Sequence, residues 1–148
     1  DMKTTQLLSQ ALAYRAAREA GADTALMVED GRVTEAASAN AWIVDDAGHL
    51  LTRDLSPSIL PGVTRAGVRD LLAQSGMRLL ERAFTPDEAR QAKEVFTTSA
   101  GAMIAPVVAI DGKPVGDGRP GPVTRQIQRL YYARMGADVA AVAPWAMG

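Results

Sequence analysis

Of sixteen basic residues, thirteen are arginine and three are lysine: Lys3, Lys93 and Lys113. Arginine stays protonated and makes a poor nucleophile, so any amine chemistry belongs to those three positions. Lys3 follows Asp1 and Met2 and leads into an apolar-patterned stretch. Set in a pocket, such a lysine sheds its proton readily and can attack an aldehyde; at a surface it is an ordinary charge. Three further stretches carry candidate chemistry. In PGVTR (61–65), Pro61 and Gly62 turn the chain into a helix whose first N–H groups, at Val63 and Thr64, have no partner within the helix. Those donors and the helix dipole favour an anion, phosphate above all, and the Thr64 hydroxyl can add a bond. In VTEAASAN (33–40), Glu35 ends a strand and is followed by Ala36, Ala37, Ser38 and Ala39. The small side chains leave room for a flat ligand, beside a carboxylate able to pair with a protonated ring nitrogen. In FTTSAGAM (96–103), a strand runs into Ser99, Ala100 and Gly101, whose backbone donors can form an anion nest. Taken singly, each is also a commonplace feature: a helix start, a strand-end glutamate, a strand connection, a surface lysine.

Composition narrows the field. With 148 residues, 47% hydrophobic and 22% charged, the chain has the make-up of one soluble globular domain. A formal charge of −1 gives nucleic-acid binding no electrostatic support. Without cysteine, thiolate nucleophiles and disulfides are excluded, and the single His49, after the turn-like DDAG, reads as a surface residue. No apolar run approaches the ~20 residues of a membrane span. A cytoplasmic enzyme or binding domain is the default expectation, although a missing N-terminus would hide a signal peptide.

These residues need elements to hold them. Residues 4–21 predict a helix with Leu7, Leu8, Ala11, Leu12 and Ala16 on one face. Strands are expected at 24–30 and 33–35 around an Asp-Gly turn, then at 40–46 and 49–53. The segment 54–62 reads as a loop and 64–76 as a helix closed by Gly76. MRLLERAF (77–84) is strand-like, and TPDEARQA (85–92) opens with a capping box, Thr85 to Glu88. Strands at 94–99 and 103–110 flank the SAGA turn, and 111–121 is a Gly/Pro-rich loop. The last helix, 122–135, is expected to turn Val123, Ile127, Leu130, Tyr131 and Met135 inward, and the tail 137–148 shows no period. Helices and hairpins in irregular order define an α+β class rather than a run of βαβ units.

The order and spacing of the candidate stretches are more specific than any one of them. A lysine, a helix, V-T-E with small residues and Asn, then L-P-G-V-T-R, then F-T-T-S-A-G and a D-G hairpin resemble the larger, C-terminal domain of the fold-type IV pyridoxal-phosphate enzymes, the class IV aminotransferases. The likeness covers roughly residues 1–135. It implies a cofactor-binding domain over 1–136, built on a mixed, barrel-like sheet with helices, followed by the tail. It also implies a smaller N-terminal domain upstream of this chain, so that the chain begins just before the lysine of interest.

The resemblance implies roles residue by residue. Lys3 matches the lysine that binds pyridoxal 5'-phosphate as a Schiff base and then shuttles the substrate proton. Glu35 matches the carboxylate on the pyridine nitrogen, Ser38 a serine beside the ring, and Leu60 an apolar residue on the ring face. Val63 and Thr64 match the phosphate-binding helix start, and Ser99 and Ala100 the second phosphate-binding turn. Two departures stand out: Ala100 where many relatives carry threonine, and Ala36 for a frequent glycine. The implied reaction is amino transfer between an amino acid, most like a D-amino acid, and a 2-oxo acid, in a homodimer. Branched-chain or (R)-amine transamination and aminodeoxychorismate lyase chemistry share nearly all these residues. A non-catalytic domain that keeps the fold remains the alternative of another class.

Overall fold

The computed structural model describes residues 12–54 and 62–136. Lys3, Leu60, the expected start of the first helix and the 137–148 tail lie outside them. The described part of helix α1 runs over 12–19. Among the described residues nine strands follow: β1 Leu26–Glu29, β2 Arg32–Ala36, β3 Asn40–Val44, β4 Leu50–Thr52, β5 Leu79–Glu81, β6 Glu94–Ser99, β7 Met103–Val107, β8 Ala109–Ile110 and β9 Lys113–Pro114. Between them lie α2 (Val63–Ser75) and α3 (Pro86–Gln91), and α4 (Pro122–Arg134) closes the series.

Five strands form a mixed sheet in the order β5-β4-β3-β6-β7, antiparallel except for the parallel β4–β5 pair. Because side chains alternate across a strand, β3 feeds two cores at once. Ala41 and Ile43 join Leu51, Val95, Phe84, Ala89 and Val33 on one face. Trp42 and Val44 join Leu50, Phe96, Val68, Leu72 and Ile127 on the other, beneath α2 and α4. Trp42 faces Phe96 across the strands, the rings stacked at 5.5 Å. Burying rings and branched side chains of this size stabilises by about 1.5–3 kcal/mol each, which is what lets β3 be buried at every position.

Most of the local expectations hold. Asp30-Gly31 and Asp111-Gly112 turn their hairpins with both residues at positive φ, the twist-matched geometry that Asp-Gly favours. At Gly67, an added Cβ would stand 3.0 Å from the Tyr131 ring, so this glycine sets the close approach of α2 and α4.

Several expectations are corrected. On the last helix Val123, Ile127 and Tyr131 pack on the core as expected, but Met135 is exposed, and Thr124 and Gln128 are buried as well, Gln128 donating to the Ile104 carbonyl at 3.0 Å. Leu12 and Ala16 are exposed, and among the described residues of α1 it is Ala17 that is buried. Strand β5 is only three residues long, since just Leu79–Glu81 pairs with β4. The expected strand 103–110 breaks at Val108, and β8 pairs with β9 inside the expected loop. Thr85 caps α3 by accepting from the Glu88 amide at 3.1 Å, but the Glu88 carboxylate pairs with Arg82 instead of returning to the cap.

Candidate active site

The register places the candidate residues on one edge. Asn40 pairs with Thr98, and Trp42 with Thr52, so the start of β3 lies beside the ends of β4 and β6. The β2 strand reaches the same edge, turning through Ala37 and Ser38 into Ala39, with Ala36 and Ala39 bonded to each other. Helix α2 leaves from there, since it connects β4 to the parallel β5 across one face of the sheet. Such a crossover puts the helix N-terminus at the carboxyl end of its strand, the place where α/β units hold ligands.

Glu35 is 5% exposed, and neither it nor Asn40 is left without an interaction. That pairing is required, because a buried carboxylate alone would be prohibitively costly. Ser38 sits at φ 57 on the tip of the turn, exposed to solvent. Tyr14 of α1 donates to the Ala37 carbonyl at 2.9 Å, tying the helix that follows Lys3 in sequence to this turn.

At the start of α2, Gly62 is the N-cap residue and offers no side-chain cap, and the first turn contains no acidic residue. Val63 is exposed while Thr64 and Arg65 are buried. The Thr64 hydroxyl donates to the Ser99 carbonyl at 3.0 Å. Arg65 donates from Nη2 to the Arg53 carbonyl at 2.9 Å and lies 3.9 Å from Glu81. Burial pushes the Arg65 guanidinium below its usual pKa, and Glu81 opposes that shift. The Ser99 hydroxyl accepts from the Ala102 amide at 3.1 Å, which folds the β6–β7 turn and leaves Ala100 and Gly101 exposed. Trp42 Nε1 donates to Thr98 Oγ1 at 3.0 Å, so the hydroxyl before that turn is also engaged.

The edge thus joins Glu35, Ser38, Val63, Thr64, Ser99 and Ala100, and two of the expected residues, Lys3 and Leu60, lie outside the described part. Sequence reasoning missed Asn40, whose Oδ1 would stand 2.6 Å from a Cβ at Gly62, and Arg65, which anchors the same helix turn from behind. A signal existed for Asn40, a polar residue at the head of the buried strand β3; Arg65, in an amphipathic helix, carried none. A hollow of 320 Å³ between β7 and α4, lined by Ile104, Pro106, Arg125 and Tyr132 among others, contains none of these residues.

A glycine-capped helix start without an acid in its first turn, an exposed turn and a buried carboxylate on one sheet edge suit a ligand that is anionic at one end and basic at the other. The family model for amino-transferase class IV matches residues 1–110, and the chain belongs to that family. A D-alanine aminotransferase of Bacillus licheniformis is 38% identical over 128 residues, which cover 86% of this chain and 45% of the relative. A branched-chain-amino-acid aminotransferase of Pseudomonas aeruginosa is 34% identical over 139 residues, 93% of this chain and 45% of that protein. Among solved structures, an aminotransferase from Brucella abortus bound to the cofactor PLP superposes with a TM-score of 0.80 at 28% identity, over 86% of this chain and 45% of that one. The chain therefore spans about half the length of the relatives it matches. Among the described residues no helix is long and apolar enough to cross a membrane.

Proposed function

We propose that residues 1–136 form the cofactor-binding domain of a pyridoxal-phosphate-dependent aminotransferase that moves an amino group between an amino acid and a 2-oxo acid. The observation that carries this reading is the start of α2, with a glycine N-cap and no acid in its first turn, bonded directly to the Ser99–Ala100 turn, with buried Glu35 on the same edge. These residues fit the cofactor. A phosphate needs backbone donors and no competing carboxylate, which α2 supplies. A pyridine nitrogen needs a carboxylate, which Glu35 supplies.

When bound, pyridoxal phosphate supplies an aldehyde for amine exchange and a ring that withdraws electrons from the substrate α-carbon. The chain's own residues do the rest. The amides of Val63 and Thr64 and the turn at Ser99 and Ala100 hold the phosphate. Glu35 keeps a proton on the ring nitrogen. By the resemblance, Ser38 would contact the ring and Leu60, outside the described residues, would be the apolar residue packed on it. Lys3 Nζ holds the cofactor, then takes the proton from the substrate α-carbon and returns it one position away. A homodimer, an upstream N-terminal domain that completes the substrate pocket, and a cytoplasmic setting belong to the same proposal.

The donor we assign is a D-amino acid, supported by the D-alanine aminotransferase of Bacillus licheniformis among the relatives. The branched-chain relatives and structures favour a second reading, an L-branched-chain donor. One experiment on the complete protein tests both levels. Borohydride reduction with pyridoxal phosphate and peptide mapping should label Lys3, and turnover should then be found with D-alanine. A label absent or spread over Lys93 and Lys113 sinks the cofactor assignment; turnover with L-leucine alone sinks only the choice of donor.

A further inference from the structure

The two segments read above as the phosphate cradle are joined by a single side chain. Thr64 is 4% exposed, and its hydroxyl proton goes to the Ser99 carbonyl at 3.0 Å, across 35 residues of sequence. A hydroxyl has one proton to donate. Given to Ser99, it is not offered to an anion. In this arrangement the hydroxyl links two segments of the chain.

The rest of the neighbourhood is arranged around that bond. On the far side of the carbonyl, the Ser99 hydroxyl accepts from the Ala102 amide, and Met103 takes φ 58, which together set the shape of the β6–β7 turn. On the near side, the next residue, Arg65, ties the same helix turn to the Arg53 carbonyl at the end of β4. The first turn of α2 is thus held from behind at both flanks. Packing alone does not demand the threonine bond. Thr124 stands in a second Val-Thr-Arg, at the start of α4, and is buried to 1%, yet its Oγ1 has no hydrogen-bond partner among the described residues.

We propose that Thr64 is a positioning residue: its hydroxyl fixes the spacing between the α2 amides and the Ser99–Ala100 turn, and so sets the preference for a phosphate-bearing cofactor over the same ring without phosphate. The inference rests on the cradle reading of these two segments. Its logic is preorganisation: two arms already at the right separation need no ordering when a dianion arrives.

The test uses the complete protein with Thr64→Val, which keeps both backbone amides but not the hydroxyl, and Thr64→Ser, which keeps the hydroxyl. Dissociation constants for pyridoxal phosphate and for pyridoxal are measured beside the unfolding of the cofactor-free protein. Loss of one such bond should reduce the preference for pyridoxal phosphate about tenfold, and serine should restore most of it. A general loss of stability would weaken both ligands alike and leave their ratio unchanged. An unchanged ratio in Thr64→Val, or a serine variant as poor as the valine one, overturns the proposal. Should valine prevent folding, Thr64→Ala makes the same comparison, with room for a water on the Ser99 carbonyl. A wild-type protein with no preference between the two ligands overturns the cradle reading itself, and the strut with it.

Discussion

Helices α2 and α4 begin on nearly the same residues, Gly-Val-Thr-Arg and Gly-Pro-Val-Thr-Arg, yet their first turns are finished in opposite ways. Glu94, buried at the start of β6, turns its carboxylate onto α4 and accepts from the Val123 and Thr124 amides at 3.0 and 2.8 Å. That helix carries its anion built in. At α2 the N-cap glycine brings no side chain, and the first turn contains no acid. Both starts carry the same positive dipole. The difference is one of charge: a buried carboxylate from another strand closes α4, whereas the side chain that stands beside the α2 start is the neutral Asn40. A helix start becomes informative about function only when a neighbouring start in the same protein shows what ordinary satisfaction looks like.

The largest blow to this contrast falls on the closed end. Glu94→Ala strips a carboxylate from one buried and one part-buried amide, and urea unfolding should show a loss of about 3 kcal/mol. A loss under about 1 kcal/mol would mean that water satisfies those amides and that the two helix starts differ less than the structure indicates. Next come the two N-cap glycines. A Cβ at Gly121 overlaps the Glu94 carboxylate and pushes it off the helix, so Gly121→Ala should cost about 2 kcal/mol. The equivalent Gly62→Ala meets only the tip of Asn40 and should cost about half as much, since a side-chain end can move. Equal costs at the two glycines would erase the distinction. The smallest effect is the sharpest: Val63 is exposed, and Val63→Glu adds an acid to the open turn. The cofactor-free protein should gain about 0.5 kcal/mol at low salt. Pyridoxal phosphate, facing a like charge, should bind roughly tenfold more weakly. A variant that gains stability and binds the cofactor as before would place the phosphate elsewhere.

Much of this architecture could be read from local pattern. The Asp-Gly turns, the Pro86 helix start, Gly76 and the alternating apolar strands are set by backbone preferences of neighbouring residues, and they appear where expected. Glu35, Thr64 and Ser99 stood out through their order along the chain. Glu94 did not, because its partners lie 29 and 30 residues away and nothing beside it marks the pairing. The buried Arg65 was missed for the same reason: an arginine in an amphipathic helix reads as solvated until Arg53 and Glu81 are brought beneath it. On α4 the buried face also takes in Gln128, because the Ile104 carbonyl makes its amide cheap to bury, a term that hydrophobic spacing alone does not contain.

Strand β6 lies between β3 and β7, so its pairings reach far along the chain. Trp42 meets Thr98 across 56 residues. Hairpins such as β1–β2 and β3–β4 close over short loops and can form early, whereas β6 must find β3 through a long loop, which is slow. Both Glu94 and Ser99 ride on that one strand. The stretch that plugs α4 and the stretch that meets Thr64 therefore arrive together, in the step that completes the sheet. No partly folded form of the chain would hold half a cradle, and a phosphate ligand should recognise only the finished protein, drawing the folding equilibrium towards it as its concentration rises.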